Sequence, residues 1–159
     1  MVRKKKTKAA ALVLSMICLL LFFVQDDVGR FGICSGCGAS ARILYPFFHG
    51  NAFHLAINIF VFLQAVFLAD VSFLAVLLSW IIASTVFPVT WSTPTVGLSG
   101  VIYALFGIIT WRSSSPLFFV SCTMLYVAIG LLNPASNTYL HLYSYAVGLL
   151  VGILGKPVE

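Results

Sequence analysis

Six apolar segments follow one another along the chain, at about 8–25, 51–69, 71–88, 97–111, 116–133 and 138–155. Polar and turn-forming residues break them, and no linker is long enough to separate two domains. A helix crossing about 30 Å of hydrocarbon needs roughly 20 apolar residues, somewhat fewer where neighbouring helices shelter it. The pattern therefore predicts an all-α, polytopic membrane protein: a six-transmembrane-helix bundle with a short central fourth helix. Residues 1–7 form a basic cytosolic N-terminus and 8–159 a single membrane domain. The longest interruption, roughly 26–50, is rich in Gly and Ser and reads as an ordered or surface-lying loop.

Composition agrees. The 159 residues are 61% hydrophobic and 8% charged, where a soluble domain carries about 25% charged residues. The net charge of +5 has the sign of a nucleic-acid binder, but its distribution excludes one. Arg3, Lys4, Lys5, Lys6 and Lys8 form one N-terminal run, and no basic face interleaved with aromatics exists elsewhere. That run is a juxtamembrane cluster that sets topology and touches anionic lipid. The apolar stretch after it leads into Gln25-Asp26-Asp27 without a small-residue cleavage pattern, and so reads as a retained first span. With six spans, both termini lie on one side. If that side is cytosolic, Arg3, Lys4, Lys5, Lys6, Lys8, Arg112 and Lys156 are inside and only Arg30 and Arg42 outside, as the positive-inside bias requires.

Polar residues then fall at one level. Spans two, four and six run inward, and their depths follow from the cytosolic ends at about 1.5 Å per residue. Measured from Trp111-Arg112, Ser99 lies about 10 Å below the outer face; measured from Lys156, His141 lies about 8 Å deep. Measured from Asp70, His54 and Asn58 lie about 6 and 12 Å deep. Polar and ionisable groups in a membrane are expensive and mark function by default. The stretch from Val89 to Leu98, with Thr90, Ser92, Thr93 and Thr95, predicts irregular backbone facing a wet cavity open to the outside.

Ser99 alone, between glycines, also fits close helix packing, and His141 alone fits a buried, satisfied histidine. Together they supply the nucleophile and base of acyl transfer, because a serine hydroxyl is unreactive until an imidazole takes its proton. Asp26, Asp27, Asp70 and Glu159 lie at ends or loops, so a dyad is the most this chain builds. Tyr103, one turn beyond Ser99, is placed to stack on His141 or simply to pack. His54 and Asn58, at i and i+4, present paired donors to a developing oxyanion. Their other readings are an interhelical hydrogen-bond pair or half of a metal site. A metal lacks a third ligand there, so no metal or other cofactor is expected. The Ser99 N–H, at a helix start, adds a donor. Asn51 reads as the N-cap of span two, and His49 before it as a loop brace. Gly148 and Gly152 form G-x-x-x-G in span six and permit close approach to span four. Cys34-x-x-Cys37 in the outer loop lacks the partners of a zinc site and the context of a thioredoxin motif, leaving a local disulfide or two idle thiols. Cys18 and Cys122 are apolar filler.

His49-Gly50-Asn51-Ala52-Phe53-His54-Leu55-Ala56-Ile57-Asn58, Gly97-Leu98-Ser99-Gly100-Val101-Ile102-Tyr103-Ala104-Leu105, and His141 with Gly148 resemble the rhomboid intramembrane serine proteases of the minimal six-helix bacterial type. The likeness covers about residues 40–155. It implies a rhomboid-like bundle in a bacterial inner membrane, with the active site opening to the extracytoplasmic side. It also implies Ser99 as nucleophile, His141 as general base, His54 and Asn58 as oxyanion donors, His49 as a structural histidine and Tyr103 as the ring on His141. Gly97, Gly100 and Gly148 are supporting residues of the same motifs. The chain departs from the family at Ala41-Arg42, where Trp-Arg is usual, and at Ser144, where Gly is usual. The expected partners are transmembrane segments of substrate membrane proteins and the lipid bilayer, with no nucleic acid; oligomeric state has no signal in the sequence. The rival reading is a non-catalytic chaperone or sorting receptor that binds transmembrane helices. A small-molecule transporter is disfavoured, since the cytosolic halves of the spans are nearly devoid of ionisable groups.

Overall fold

The computed structural model describes residues 2–69, 71–87, 91–132 and 136–155, with side chains from residue 5 onward. Among them the chain is all-α, with seven α-helices: α1 (Val2–Val24), α2 (Ala39–Leu44), α3 (Ala52–Leu68), α4 (Phe73–Ser84), α5 (Ser99–Thr110), α6 (Pro116–Leu131) and α7 (Thr138–Leu154). Two 3₁₀ turns, Gly29–Phe31 and Tyr45–Phe47, flank α2. One isolated antiparallel bridge, Ile33 to Thr95, is the sole β pairing among the described residues. Each of the six apolar segments corresponds to one helix, α1 starting earlier, at Val2. The long loop at 26–50 is ordered: α2 and both 3₁₀ turns lie within it. Asp70, Val89, Thr90, Lys156 and Glu159 and the side chains of Arg3 and Lys4 lie outside the described residues.

The apolar stretch Lys5–Val24 within α1 is long and apolar enough to cross a bilayer unaided. Ala39–Phe47 and α3 reach that length together, across an 84° bend. The helices α4 to α7 are shorter apolar helices of 12 to 17 residues.

The chain gathers into two compact units. Residues 1–73 and 87–99 make the first. There α1 turns Thr7, Ala11, Ser15 and Cys18 inward, positions three and four apart that share one helical face. The buried face of α3 is Leu55, Asn58, Phe62, Ala65 and Val66, and the Lys8 ammonium lies 5.3 Å from the Phe67 ring centre. Tyr45, Ile33, Phe62, His49 and Leu98 are fully buried.

Residues 74–86 and 100–159 make the second unit. Ten of the twelve residues of α5 are buried, so this helix is apolar on every side because it meets protein on every side. By contrast α6 buries only Thr123 and Val127 and exposes Leu117, Phe118, Leu125, Ile129 and Leu131. Exposed large apolar residues also run along α1 (Leu12, Met16, Leu20, Phe23) and α3 (Phe53, Ile57, Phe60). Apolar surface on this scale belongs against lipid or another apolar partner.

Candidate active site

In the first unit, Asn51 caps α3: its side-chain oxygen accepts from the His54 N–H at 2.8 Å, which satisfies one of the helix's orphan donors. Asn51→Ala should cost about 1 kcal/mol, read as a lower unfolding temperature in detergent. The cap starts the helix so that His54 and Asn58 fall one turn apart on the same side. Asn58 is buried and donates one amide N–H to the His54 carbonyl at 2.9 Å, which leaves its second N–H to aim elsewhere. Gly97 stands directly against this pair. A Cβ there would lie 2.6 Å from His54 Cε1, 2.8 Å from His54 Nε2 and 3.7 Å from Asn58 Nδ2. Gly97 also has φ +116, a backbone region that residues with a Cβ rarely enter. Two constraints thus fix glycine at this position, and the backbone two residues before Ser99 passes over the paired donors.

His49 is fully buried. Its Nε2 accepts from the Leu98 N–H at 3.4 Å and its Nδ1 faces the Phe47 carbonyl at 3.3 Å, an arrangement that requires the neutral Nδ1–H tautomer. Gln25 donates to the His49 carbonyl at 2.8 Å, and Gly97 donates to the Tyr45 carbonyl at 3.0 Å. The histidine read as a brace therefore ties the turn before α3 to the backbone just before Ser99. Burial, and next the neighbouring His54, lowers its pKa from 6.5 to about 4. Protonation therefore favours the unfolded chain. Stability is full above pH 6.5 and falls as pH drops towards about 4, by roughly 3 kcal/mol in all. His49→Gln should flatten that acid limb in a pH series of unfolding temperatures.

In the second unit, Asn137 caps α7, accepting from the Leu140 N–H at 3.0 Å, and His141 occupies the first turn. It is buried, and its ring lies on that of Tyr103 with centroids 4.3 Å apart and planes 16° from parallel. Of the two sequence readings of Tyr103, stacking on His141 or plain packing, the rings stack. Gly148 meets α5 at its backbone: a Cβ would lie 2.2 Å from the Ala104 carbonyl oxygen. Gly152 approaches Ile108 in the same way, and Gly107 of α5 meets the Tyr145 carbonyl and the Leu149 N–H. The Tyr145 hydroxyl lies 3.2 Å from the Thr110 hydroxyl. Ser144 is fully buried, and its hydroxyl has no hydrogen-bond partner among the described residues. An orphaned buried hydroxyl carries its desolvation cost uncompensated. Ser144→Ala should therefore raise stability by up to about 1 kcal/mol, read by thermal unfolding.

Gly107 and Gly130 were not anticipated. Gly107's signal was its place three positions after Ala104, two small residues on the side of α5 that meets Gly148 and Gly152. Gly130 of α6 has Ser136 Oγ at 3.0 Å and His141 Nδ1 at 3.9 Å from the place a Cβ would occupy, and only the folded chain reveals that. Gly100 is the buried second residue of α5. Ser99, half-buried, opens α5 and belongs to the first unit, whereas His141 belongs to the second.

Cys34 and Cys37 are free thiols, as are Cys18 and Cys122. Arg42 lies over the Phe87 ring at 5.8 Å, beside the buried Ala41. No protein-family model matches the chain, and no curated protein matches its sequence.

Proposed function

We propose that the chain is an intramembrane serine endopeptidase of rhomboid type, built as a six-span bundle with both termini cytosolic. It hydrolyses peptide bonds in or beside the transmembrane helices of other membrane proteins. In this reading Ser99 Oγ attacks the scissile carbonyl while His141 takes its proton. The resulting oxyanion is held by His54, Asn58 and the Ser99 N–H at the positive end of α5. His141 then protonates the departing amine, and water arriving from the outer side hydrolyses the acyl-enzyme. The substrate helix must unwind first, because its carbonyls are otherwise hydrogen-bonded and shielded. A chain with so much outward apolar surface is at home among its substrates in the bilayer.

The observation that supports this reading most is the Tyr103–His141 stack. Tyr103 follows Ser99 by four positions on α5, so both project from one side of that helix. The Tyr103 ring packs against the face of the imidazole and so helps to hold it. A fluorophosphonate should label Ser99, and His141→Ala should abolish that labelling. Labelling undiminished in the His141 variant would refute the dyad. Asn58→Ala should lower turnover by about 10²-fold with the dyad intact, as measured on a single-span substrate. The chaperone reading predicts the opposite outcome at the serine: Ser99→Ala would keep full biological activity.

A further inference from the structure

The outer loop carries a thiol pair that the proposed chemistry does not use. Cys37 donates its N–H to the Cys34 carbonyl at 3.2 Å, and Gly36 between them has φ +76. This is a tight turn with glycine at the position that needs positive φ. Such turns hold their end Cα atoms within about 7 Å, and a disulfide spans about 4.4–6.8 Å. Both thiols are free and partly exposed, so the turn is compatible with closure and open to reagents. The same turn is pinned to the segment that leads to Ser99. Ile33 and Thr95 exchange two backbone hydrogen bonds of 2.9 and 3.0 Å, and Ser35 donates to the Trp91 carbonyl at 2.9 Å. Gly32 lies so close to Pro94 that a Cβ would fall 2.5 Å from its Cβ.

We infer that Cys34 and Cys37 are a redox modification site: a dithiol that exchanges reversibly with small-molecule or protein disulfides. One cysteine thiolate attacks the disulfide R–S–S–R, forming a mixed disulfide and releasing one thiolate. The second cysteine, as thiolate, attacks the mixed disulfide, closing Cys34–Cys37 and releasing the other. The pair loses two electrons and two protons, and the external disulfide becomes two thiols. So short a loop gains little from closure compared with a long one, which marks an exchangeable bond rather than a structural staple. Zinc would need two further ligands, and no group of three or more His, Cys, Asp or Glu suited to a metal exists among the described residues.

The test equilibrates the detergent-solubilised full chain with reduced and oxidised glutathione at graded ratios, followed by maleimide capture and intact-mass counting. The expected result is joint loss of two reactive thiols within that range, reversed by excess reduced glutathione. Cys34→Ser should leave Cys37 permanently titratable or capped by glutathione. On closure, amide hydrogen exchange at Ile33 and Ser35 should slow by about threefold or more. Thiols that stay reduced in oxidised glutathione overturn the inference. So does a bond that resists reduced glutathione, or one that links separate chains. None of these readouts depends on whether the protein cleaves peptide bonds.

Discussion

Ser99→Ala and His141→Ala should each reduce cleavage of a single-span substrate in reconstituted vesicles by about 10⁴-fold or more. On the protease reading, the first removes the attacking oxygen. The second leaves an alcohol that holds its proton at neutral pH, with no acid to release the amine. If the two act as one unit, as proposed, the double variant should be no slower than either single one. His141→Ala also deletes a ring packed on Tyr103, so loss of activity alone would be ambiguous. His141→Phe separates the effects, since it keeps an aromatic face on Tyr103 and supplies no proton acceptor. An unfolding temperature near wild type, together with absent cleavage, would assign the loss to chemistry. Wild-type turnover in Ser99→Ala would end the protease reading.

Gly148→Val should be the most damaging substitution to folding, costing at least about 4 kcal/mol. Its Cβ would stand 2.2 Å from the Ala104 carbonyl oxygen. That atom is backbone and cannot rotate aside, so α5 and α7 must part. Separation would also strain the Thr110–Tyr145 hydroxyl contact and the Tyr103–His141 stack. Gly107→Ala attacks the same contact from the other helix, where a Cβ meets Tyr145 O at 2.4 Å. Unfolding in mixed micelles reads both variants. A Gly148→Val protein as stable as wild type would show that the two helices do not meet as described.

The positions of the helices were legible from apolar run length, since a chain in lipid satisfies its backbone groups internally and has few alternatives. Asn51 as a cap and Gly148 against α5 followed from local pattern and helical spacing, whereas spacing left Tyr103 open between stacking on His141 and plain packing. The outer loop was not legible in that way. The helix at Ala39–Leu44 is six residues long, too short for periodicity to declare it. The Ile33–Thr95 bridge joins residues sixty-two positions apart, and no local pattern announces such a pairing. Gly97 was read as motif glycine, but the reason it must be glycine, a φ of +116 beside the His54 ring, exists only once α3 is folded beside it. Ser144 shows the converse: the sequence marks it only as a departure from the family's Gly, and burial in the fold is what exposes its unpaired hydroxyl.

If α3 spans a bilayer, as proposed, the 84° elbow between Ala39–Phe47 and α3 would give the host lipid a mechanical input. A thinner bilayer tilts a helix of fixed length. Any arm set nearly crosswise to that rod must then rise or dip along the headgroup plane. In such a chain, acyl length would act like a hand on a crank, moving the loop region above α3 without any ligand binding to it.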